Sequence, residues 1–444
     1  MTWSASSTLG YGAWTSLAAC LALWNVGSTT HAQPAPAVGP EFPVNTYTTG
    51  NQQHASVAAD ADGNFVVVWQ SDTAPGYSVA TILGQRFDSA GLAIGGEFQP
   101  SINPDEDNLQ PDVAMRPDGE FVVTWISPSI IPGTNFVAVR RHLADASPLD
   151  IFIADGSTAN ASRAPDIGYA ADGSMVVVWD DITSGGDDSS GRSVQARRIA
   201  ADGMPLANEF QVNTYTTDDQ ENAAVAIADD GSFWVVWESV GSAASPNRGI
   251  MGQRFDAAGA PVGDEFRVSI NTEEDSLQPD IAATPNGDFV VVWASPTIAP
   301  EAKIAAGRRY SSDGTLLEGF IANGSTAGNV RRPAIAVEGD GSFVVAWDDG
   351  PGVADLGLEQ LGGDEREIEA QRFSAEGAKI GGPFRVNTAV IDFQTRPAVA
   401  AADQRFVVVW ESLGVDGDGT GIQGQRFDGL IFADGFESGD TSAW

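Results

Sequence analysis

A short apolar run that ends in tryptophan recurs along the whole chain, first as FVVVW at residues 65–69. The seven tryptophans are spaced 56, 54, 58, 56, 54 and 63 residues apart, at Trp69, Trp125, Trp179, Trp237, Trp293, Trp347 and Trp410. The run is apolar at consecutive rather than alternating positions, which is typical of a strand buried on both faces. A near-constant period of this length predicts a repeat architecture in which each copy is one supersecondary unit.

Four strands can be recognised in each repeat, represented by residues 279–283, 289–293, 250–256 and 265–268. A propeller blade places its middle strands between two neighbouring blades, and this supplies burial on both faces. We therefore predict an all-β fold, a seven-bladed β-propeller of four-stranded blades spanning residues 39–428. Pairs such as Asp62-Gly63 precede the tryptophan runs. They predict two-residue hairpin turns, because glycine accepts positive φ.

A longer period is superimposed on the first. Trp69 and Trp237 are 168 residues apart, and the same interval separates the second tryptophan from the fifth and the third from the sixth. The blades therefore follow the order A, B, C, A, B, C, A. Type B blades share the sequence LQPD, at residues 109–112 and 277–280.

The two ends of the repeat region complement each other. Residues 41–49 match residues 209–217 at all but one position, so a fourth-strand sequence precedes the first blade. The seventh repeat stops after its third strand, at residues 425–428. We predict that the N-terminal strand completes the last blade and closes the ring. Pro43 fits this placement, because an outermost strand tolerates a proline that a central strand would not.

The N-terminus indicates export. Residues 17–26 are mostly apolar and precede the small-x-small sequence Thr30-His31-Ala32, which predicts a signal peptide over residues 1–32 and a linker over residues 33–38. A lipoprotein cleavage box at residues 17–20 is the alternative. Cys20 is the only cysteine, so a chain cleaved after residue 32 would contain no disulfide or zinc-thiolate site. We expect a secreted or cell-surface protein, with periplasmic or lipoprotein-anchored placement as the alternatives.

The chain is strongly acidic, with a formal charge of −37 at pH 7. Such a field repels phosphate backbones, so we expect no nucleic-acid partner, and no apolar run reaches transmembrane length. We expect a monomer. Acidic residues concentrate in the inter-blade connections and in the predicted loops between second and third strands, so we predict a binding face that contains Asp105, Asp107, Asp180, Asp181, Glu273, Asp275, Asp348 and Asp349.

Calcium is the cofactor that this acidic face favours, because clustered carboxylates supply hard oxygen ligands. Asp416 and Asp418, in the sequence DGDGTG at residues 416–421, form the candidate metal site. The segment lacks the full twelve-residue calcium loop with its terminal glutamate. Solvated acidic loops are the alternative interpretation.

Catalytic signatures are scarce. The chain has only His31, His54 and His142, and no Ser-His-Asp arrangement can be proposed. We therefore predict a non-catalytic binding or scaffold protein with an extracellular glycan or protein as its ligand. The alternative is a carbohydrate-active enzyme, a glycoside hydrolase or lyase, that uses loop carboxylates. An arginine recurs in each third strand, for which we predict inter-blade hydrogen bonding: Arg86, Arg141, Arg198, Arg254, Arg309, Arg372 and Arg426.

Two segments resemble known families. The sequence GQRFD at residues 252–256, followed by GDEFRV at residues 263–268, resembles repeats of large bacterial secreted and surface proteins, mostly uncharacterised. That resemblance covers nearly all of residues 39–428 and implies export and a propeller-like fold. The tail at residues 429–444 contains GFESGD and resembles a terminal motif of exported proteins from Gram-negative bacteria. It implies a sorting or anchoring role for the tail.

Overall fold

The structure, a computed structural model, describes residues 37–73, 79–102, 107–128, 134–155, 161–182, 190–241, 247–296, 302–324, 329–350, 366–388, 393–402 and 404–428. The predicted signal peptide, most of the linker and the predicted tail lie outside these residues. The described part is all strand and forms seven four-stranded antiparallel sheets arranged as a ring, a seven-bladed β-propeller. Within these ranges no helix is long and apolar enough to cross a membrane.

Each blade contains four consecutive strands, except the last. Blade 1 contains β2 (Gln52–Ala59), β3 (Phe65–Ser71), β4 (Thr81–Phe87) and β5 (Ala93–Phe98). Blade 2 contains β6 (Leu109–Met115), β7 (Phe121–Pro128), β8 (Asn135–His142) and β9 (Pro148–Ile153). Blade 3 contains β10 (Arg163–Tyr169), β11 (Met175–Asp181), β12 (Ser193–Ile199) and β13 (Phe210–Gln211). Blade 4 contains β14 (Gln220–Ile227), β15 (Phe233–Ser239), β16 (Gly249–Phe255) and β17 (Phe266–Arg267).

The remaining blades follow the same order. Blade 5 contains β18 (Leu277–Ala283), β19 (Phe289–Pro296), β20 (Lys303–Tyr310) and β21 (Leu316–Ile321). Blade 6 contains β22 (Arg331–Val337), β23 (Phe343–Asp349), β24 (Glu367–Phe373) and β25 (Lys379–Arg385). Blade 7 contains β26 (Gln394–Ala402), β27 (Arg405–Leu413), β28 (Thr420–Asp428) and, from the other end of the chain, β1 (Phe42–Pro43).

The ring is closed by the N-terminal strand, as predicted. β1 pairs antiparallel with β28, with Phe42 opposite Gly424 and Pro43 opposite Gln423. The backbone N–H of Val44 extends this pairing with a 2.9 Å hydrogen bond to the Ile422 carbonyl oxygen. Inner strand β2 packs on β26 as each other inner strand packs on its neighbour, so the first and last blades contact each other as the others do.

The core lies between adjacent blades and is built from the second strands. All seven repeat tryptophans are at most 2% exposed. Between blades 1 and 2, for example, Trp125 packs with Val66 and Val68 of the preceding blade. Burial of one tryptophan side chain contributes about 4–6 kcal/mol as an upper estimate. The repeated run is therefore apolar at consecutive positions because both of its faces contact a neighbouring blade.

The six turns between first and second strands that contain glycine, in blades 1–6, differ from the prediction. In the first of them the Asp60 N–H donates to the Asn64 carbonyl oxygen at 2.8 Å, and the Gly63 N–H donates to the Asp60 carbonyl oxygen at 3.1 Å. Residues 61–63 thus form a three-residue loop, and only its glycine is left-handed, with φ of 79°. A two-residue turn of type I′ would need two such residues. The prediction of two-residue turns was wrong because the glycine closes a type I turn as a bulge.

The third-strand arginines bridge neighbouring blades. Arg254 donates to the Ser312 carbonyl oxygen of the next blade at 2.6 Å, and Arg426 donates to that of Ser89 across the closure at 2.7 Å. Arg309 donates to the Ala375 carbonyl oxygen at 2.5 Å. These bonds support the predicted inter-blade role for the arginines that form them.

Candidate functional site

Each inner strand carries a β-bulge near its start, and the bulged residue has positive φ, between 44° and 55°. None of the seven is glycine, so each conformation costs about 1 kcal/mol or more. We call these residues the mouth ring: His54, Gln110, Ala164, Asn222, Gln278, Arg332 and Arg396. The start of each inner strand lies beside the end of the second strand of its blade. The mouth ring is therefore at the end of the channel where second strands lead into third strands. A bulge re-aims the side chain of the strand that carries it.

Side chains of the preceding blade hold the bulges in place. Four mouth-ring N–H groups donate to buried carboxyl groups: His54 to Glu411 (2.7 Å), Asn222 to Asp180 (3.1 Å), Gln278 to Glu238 (2.7 Å) and Arg396 to Asp348 (3.2 Å). Each of these acids directly follows a repeat tryptophan. An intramolecular hydrogen bond contributes about 0.5–1.5 kcal/mol, which offsets much of the backbone strain.

In type B blades a glutamine side chain, rather than a carboxyl group, accepts the mouth-ring N–H of the next blade. Ile126 and Ala294 follow their tryptophans and carry no acceptor. The side-chain oxygen of Gln110 accepts the Ala164 N–H instead, at 3.1 Å, and that of Gln278 accepts the Arg332 N–H at 2.8 Å. The glutamine of the LQPD sequence is therefore structural in both blades, and Gln110 also lines the channel.

Four residues of the predicted acidic face lie in strands, so their predicted placement in loops was wrong. Asp180 and Asp181 end strand β11, and Asp348 and Asp349 end strand β23; none lies in a loop. The first three are at most 2% exposed, and Asp349 is half-buried. Their backbones pair with the third strand of the same blade, as Asp180 does with Val194 and Asp348 with Ile368. The Asp348 carboxylate also pairs with two arginines of its own blade, Arg366 at 2.8 Å and Arg332 at 3.2 Å.

Three other residues of that face, Asp107, Glu273 and Asp275, lie in exposed connections. Asp107 accepts the Ala80 N–H at 2.9 Å, and Asp275 accepts the Arg248 N–H at 2.8 Å. Both carboxylates thus cap the start of a third strand. Glu273 is exposed. Asp105 lies outside the described residues.

The predicted calcium site lies beside the ring closure. The Asn45 amide donates to Asp416 at 3.3 Å, and the Gly50 N–H donates to Asp418 at 3.2 Å. Both carboxylates therefore hold the segment that follows β1. In the part of the chain that the structure describes, no group of three or more histidine, cysteine or acidic side chains could hold a metal ion. Calcium binding at this loop stays a prediction.

A cavity of about 560 Å³ occupies the channel and is lined by the inner strands of all seven blades. Its size falls within the range of about 300–1,000 Å³ that small-molecule sites occupy. The mouth ring gives it amide, imidazole and guanidinium groups. Prolines and alanines follow the mouth ring in each strand, for example Pro111, Pro279 and Ala55.

Positive charge gathers on one side of the mouth. In the sector formed by blades 6, 7 and 1, Arg332, Arg366 and Arg396 face the carboxyl groups of Asp348 and Glu411. Burial, and then the charges of Arg396 and Arg332, lower the pKa of His54 to about 3, so this imidazole is neutral. Burial raises the pKa of Glu411. Three guanidinium groups thus lie around two of the carboxyl groups in this sector.

The sector formed by blades 3 and 4 has the opposite composition. Arg248 pairs with Glu238 at 3.1 Å and also with Glu221, which Arg192 approaches at 3.7 Å. Burial raises the pKa of Asp180 well above its usual range. Two arginines thus face three carboxyl groups on this side.

Three more carboxyl groups lie deeper in the channel, on blades 2, 3 and 5. Burial raises the pKa of Asp112 and of Asp166, and it raises the pKa of Asp280 to about 6. Each accepts an N–H from the next inner strand: Asp112 from Ile167 (3.1 Å), Asp166 from Val225 (2.6 Å) and Asp280 from Ile335 (2.8 Å). They satisfy N–H groups that these inner strands, as sheet edges, would otherwise leave unpaired.

The sequence interpretation missed the mouth ring. A signal for it was present in the LQPD sequence, because a proline after a polar residue at the start of a strand is typical of a bulge or an edge. His54, which no sequence pattern placed at a site, lies in strand β2 and lines the cavity beside Arg396.

No family model matches this chain, and no curated protein matches it. Its fold is similar to that of a protein of unknown function from Dyadobacter fermentans, with a TM-score of 0.50 and 12% identity over 87% of this chain and 97% of that one. It is also similar to the endosialidase of phage phi92 (TM-score 0.49, 8% identity, 90% and 70% covered). A third similar structure is an alpha-L-arabinanase from Penicillium chrysogenum (0.45, 10%, 88% and 99%). At these identities the similarity shows the fold alone.

Proposed function

We propose that this protein is an exported, non-catalytic binding module that holds a short glycan in the mouth of its channel. The observation that carries the proposal is the cavity of about 560 Å³ ringed by polar side chains. The lining includes the amide side chains of Gln110 and Asn222, and amide groups suit a ligand rich in hydroxyl groups. A concave cavity of this size suits a small ligand better than a protein surface, which buries about 800 Å² per partner.

Rigidity of the cavity wall supports the same proposal. The mouth-ring residues are bound through their backbone N–H groups to the preceding blade, as His54 is to Glu411 at 2.7 Å. A backbone held in this way loses little further freedom when a ligand binds. Preorganisation of this kind increases affinity.

The bonding of the mouth carboxyl groups favours binding over hydrolysis. A glycoside hydrolase needs one carboxylic acid and one carboxylate that are directed at the substrate. Glu238 accepts hydrogen bonds from the Gln278 N–H and from Arg248, and Asp348 accepts from two arginines and from Thr395. These groups are engaged in joining blades, so we assign them a structural role.

Ala164 offers a direct test, because it is the smallest residue of the mouth ring and lines the cavity. Ala164→Trp should abolish glycan binding, measured on a glycan array and by calorimetry, while the melting temperature stays within a few degrees of the parent. Ala258→Trp, at an exposed turn on the opposite face, is the matched control and should bind normally. Binding that survives Ala164→Trp would exclude the channel mouth. Turnover of a bound glycan that one carboxyl substitution abolishes would favour the hydrolase or lyase.

A further inference from the structure

We infer that the glycan is acidic, and that its carboxylate binds between the guanidinium groups of Arg332 and Arg396. This inference rests on the proposed function and adds the ligand class. The two arginines occupy adjacent positions of the mouth ring, on blades 6 and 7, and both line the cavity. A guanidinium group presents five N–H donors in a planar fork that matches a carboxylate.

Both side chains are accessible from the channel. The side chain of Arg332 is 26% exposed and that of Arg396 is 34% exposed, whereas Arg366, which pairs with the same Asp348, is 10% exposed. Arg366 therefore neutralises charge inside the wall. The other two arginines present their charge to the cavity.

The charges around this sector favour an anion. Arg332 and Arg396 are the basic residues of the cavity lining in the described chain, in a protein whose net charge is −37. The carboxyl groups deeper in the channel belong to blades 2, 3 and 5. The equivalent residues of blades 6, 7 and 1 are Ala334, Ala398 and Ser56, so no carboxylate of this deeper ring lies on the same blades as the two arginines.

The imidazole of His54, which lies against Arg396, does not change the charge of that guanidinium group. Its Nη1 atom lies 2.8 Å from Nδ1 and 2.9 Å from Nε2 of His54. Since the imidazole is neutral, it does not repel the guanidinium, and it does not neutralise it either. A carboxylate ligand would add charge-assisted hydrogen bonds to the ion pairs that Arg332 makes with Asp348 and Arg396 makes with Glu411, in a site of reduced dielectric where such bonds are strong.

Calorimetry with two matched probes tests the inference. Trigalacturonic acid and its methyl ester differ in charge and share their hydroxyl groups. We expect the acid to bind at least tenfold more tightly than the ester. Arg396→Gln and Arg332→Gln should each weaken binding of the acid at least tenfold and change binding of the ester less than twofold. Arg396→Lys, which keeps the charge, should retain an intermediate affinity.

Arg405→Gln is the matched control, because Arg405 is 55% exposed, pairs with Asp428 and lies outside the channel. It removes the same charge and should leave binding of the acid unchanged. Equal affinity for the acid and the ester would overturn the inference and leave the proposed function standing. Equal losses in the Arg405 and Arg396 variants would also overturn it, because the effect would then be one of net charge. Binding of no glycan at all, charged or neutral, would overturn the proposed function as well.

Discussion

At the scale of single residues, backbone conformations with positive φ recur at two positions in each blade, the turn after the first strand and the mouth ring. Glycine occupies six of the turns between first and second strands, with φ between 79° and 87°. In the seventh blade the turn is shorter, since Ala402 pairs with Arg405, and Gln404 there also has a positive φ, of 61°. The mouth ring accepts seven further non-glycine residues at positive φ, where buried acceptors hold the backbone. Gln404 is exposed, so contacts of its side chain offset little of the cost of its positive φ.

Replacing Gln404 by glycine should therefore stabilise the protein. We expect the free energy of unfolding to rise by about 0.5–1 kcal/mol, because glycine adopts positive φ without steric cost. Gly287→Gln is the reciprocal control, since a Cβ there would lie 3.5 Å from its nearest neighbour, an ordinary contact. It should lower the same free energy by about 1 kcal/mol. Urea denaturation measures both, and a loss of stability in the Gln404 variant would show that strain at this turn is compensated elsewhere.

At the scale of elements, the two-residue strand β1 and the residues after it form part of the contact between the first and last blades. Phe42 packs with Phe65 and Phe87 across the closure, at ring-centroid distances of 6.1 and 5.3 Å. Val44 is 1% exposed, and the Asn45 side chain accepts the Ile422 N–H at 2.7 Å. The closure therefore has the same hydrophobic and polar parts as the other blade interfaces.

Deletion of residues 39–49 should lower stability sharply. Loss of the half-buried Phe42 and the buried Val44 side chains costs about 2–5 kcal/mol, and it leaves the outer edge of β28 unpaired. The melting temperature is the measurement, and a synthetic peptide of residues 37–50 added in trans should restore part of it. An unchanged melting temperature would contradict closure by this strand.

One experiment distinguishes two roles for the loop between β27 and β28, support of the segment after β1 and binding of calcium. If Asp416 and Asp418 hold the segment after β1, Asp416→Ala and Asp418→Ala should each lower the free energy of unfolding by about 0.5–1.5 kcal/mol in the presence of EDTA. Asp264→Ala, at an exposed position, is the control. A loss of stability seen only when calcium is added would instead support the predicted calcium site.

Much of the arrangement of elements could be predicted from the sequence, because it depends on patterns that repeat. The tryptophan runs, the four strands per blade and the match between residues 41–49 and 209–217 each specify a local structure and its partner. The mouth ring could not be predicted in this way. The burial of Asp180 and Asp348 depends on how the end of one strand meets a bulge in the next blade, which no single repeat reveals. Dipeptides such as Asp180-Asp181 are typical of loops, and here buried N–H donors and arginines bond them inside strands.

At the scale of the whole molecule, titration links the channel to stability. The pKa of Asp280 is raised from 3.8 to about 6 in the folded protein, chiefly by burial. A raised pKa means that the folded state holds a proton that the unfolded state releases. The stability from this proton is present below about pH 4 and is lost as pH rises through about 6. Repulsion within a chain of charge −37 at pH 7 changes stability in the same direction.

Asp280→Asn should therefore reduce this pH dependence. Between pH 4.5 and pH 8 the parent should lose about 1–3 kcal/mol more of its free energy of unfolding than the variant does. Denaturation curves at both pH values give the difference, and Asp264→Asn serves as the surface control with an equal offset at each. A variant whose offset from the parent is the same at pH 4.5 and pH 8 would show that Asp280 ionises normally in the folded ring.

A crystal structure of the protein soaked with trigalacturonic acid tests the central claim most directly, because it locates the ligand. We predict electron density for the sugar in the channel mouth, with a carboxylate within hydrogen-bond distance of both Arg332 and Arg396. Density confined to the acidic connections around Asp107 and Asp275, or a mouth that holds only solvent at saturating ligand, would contradict the account.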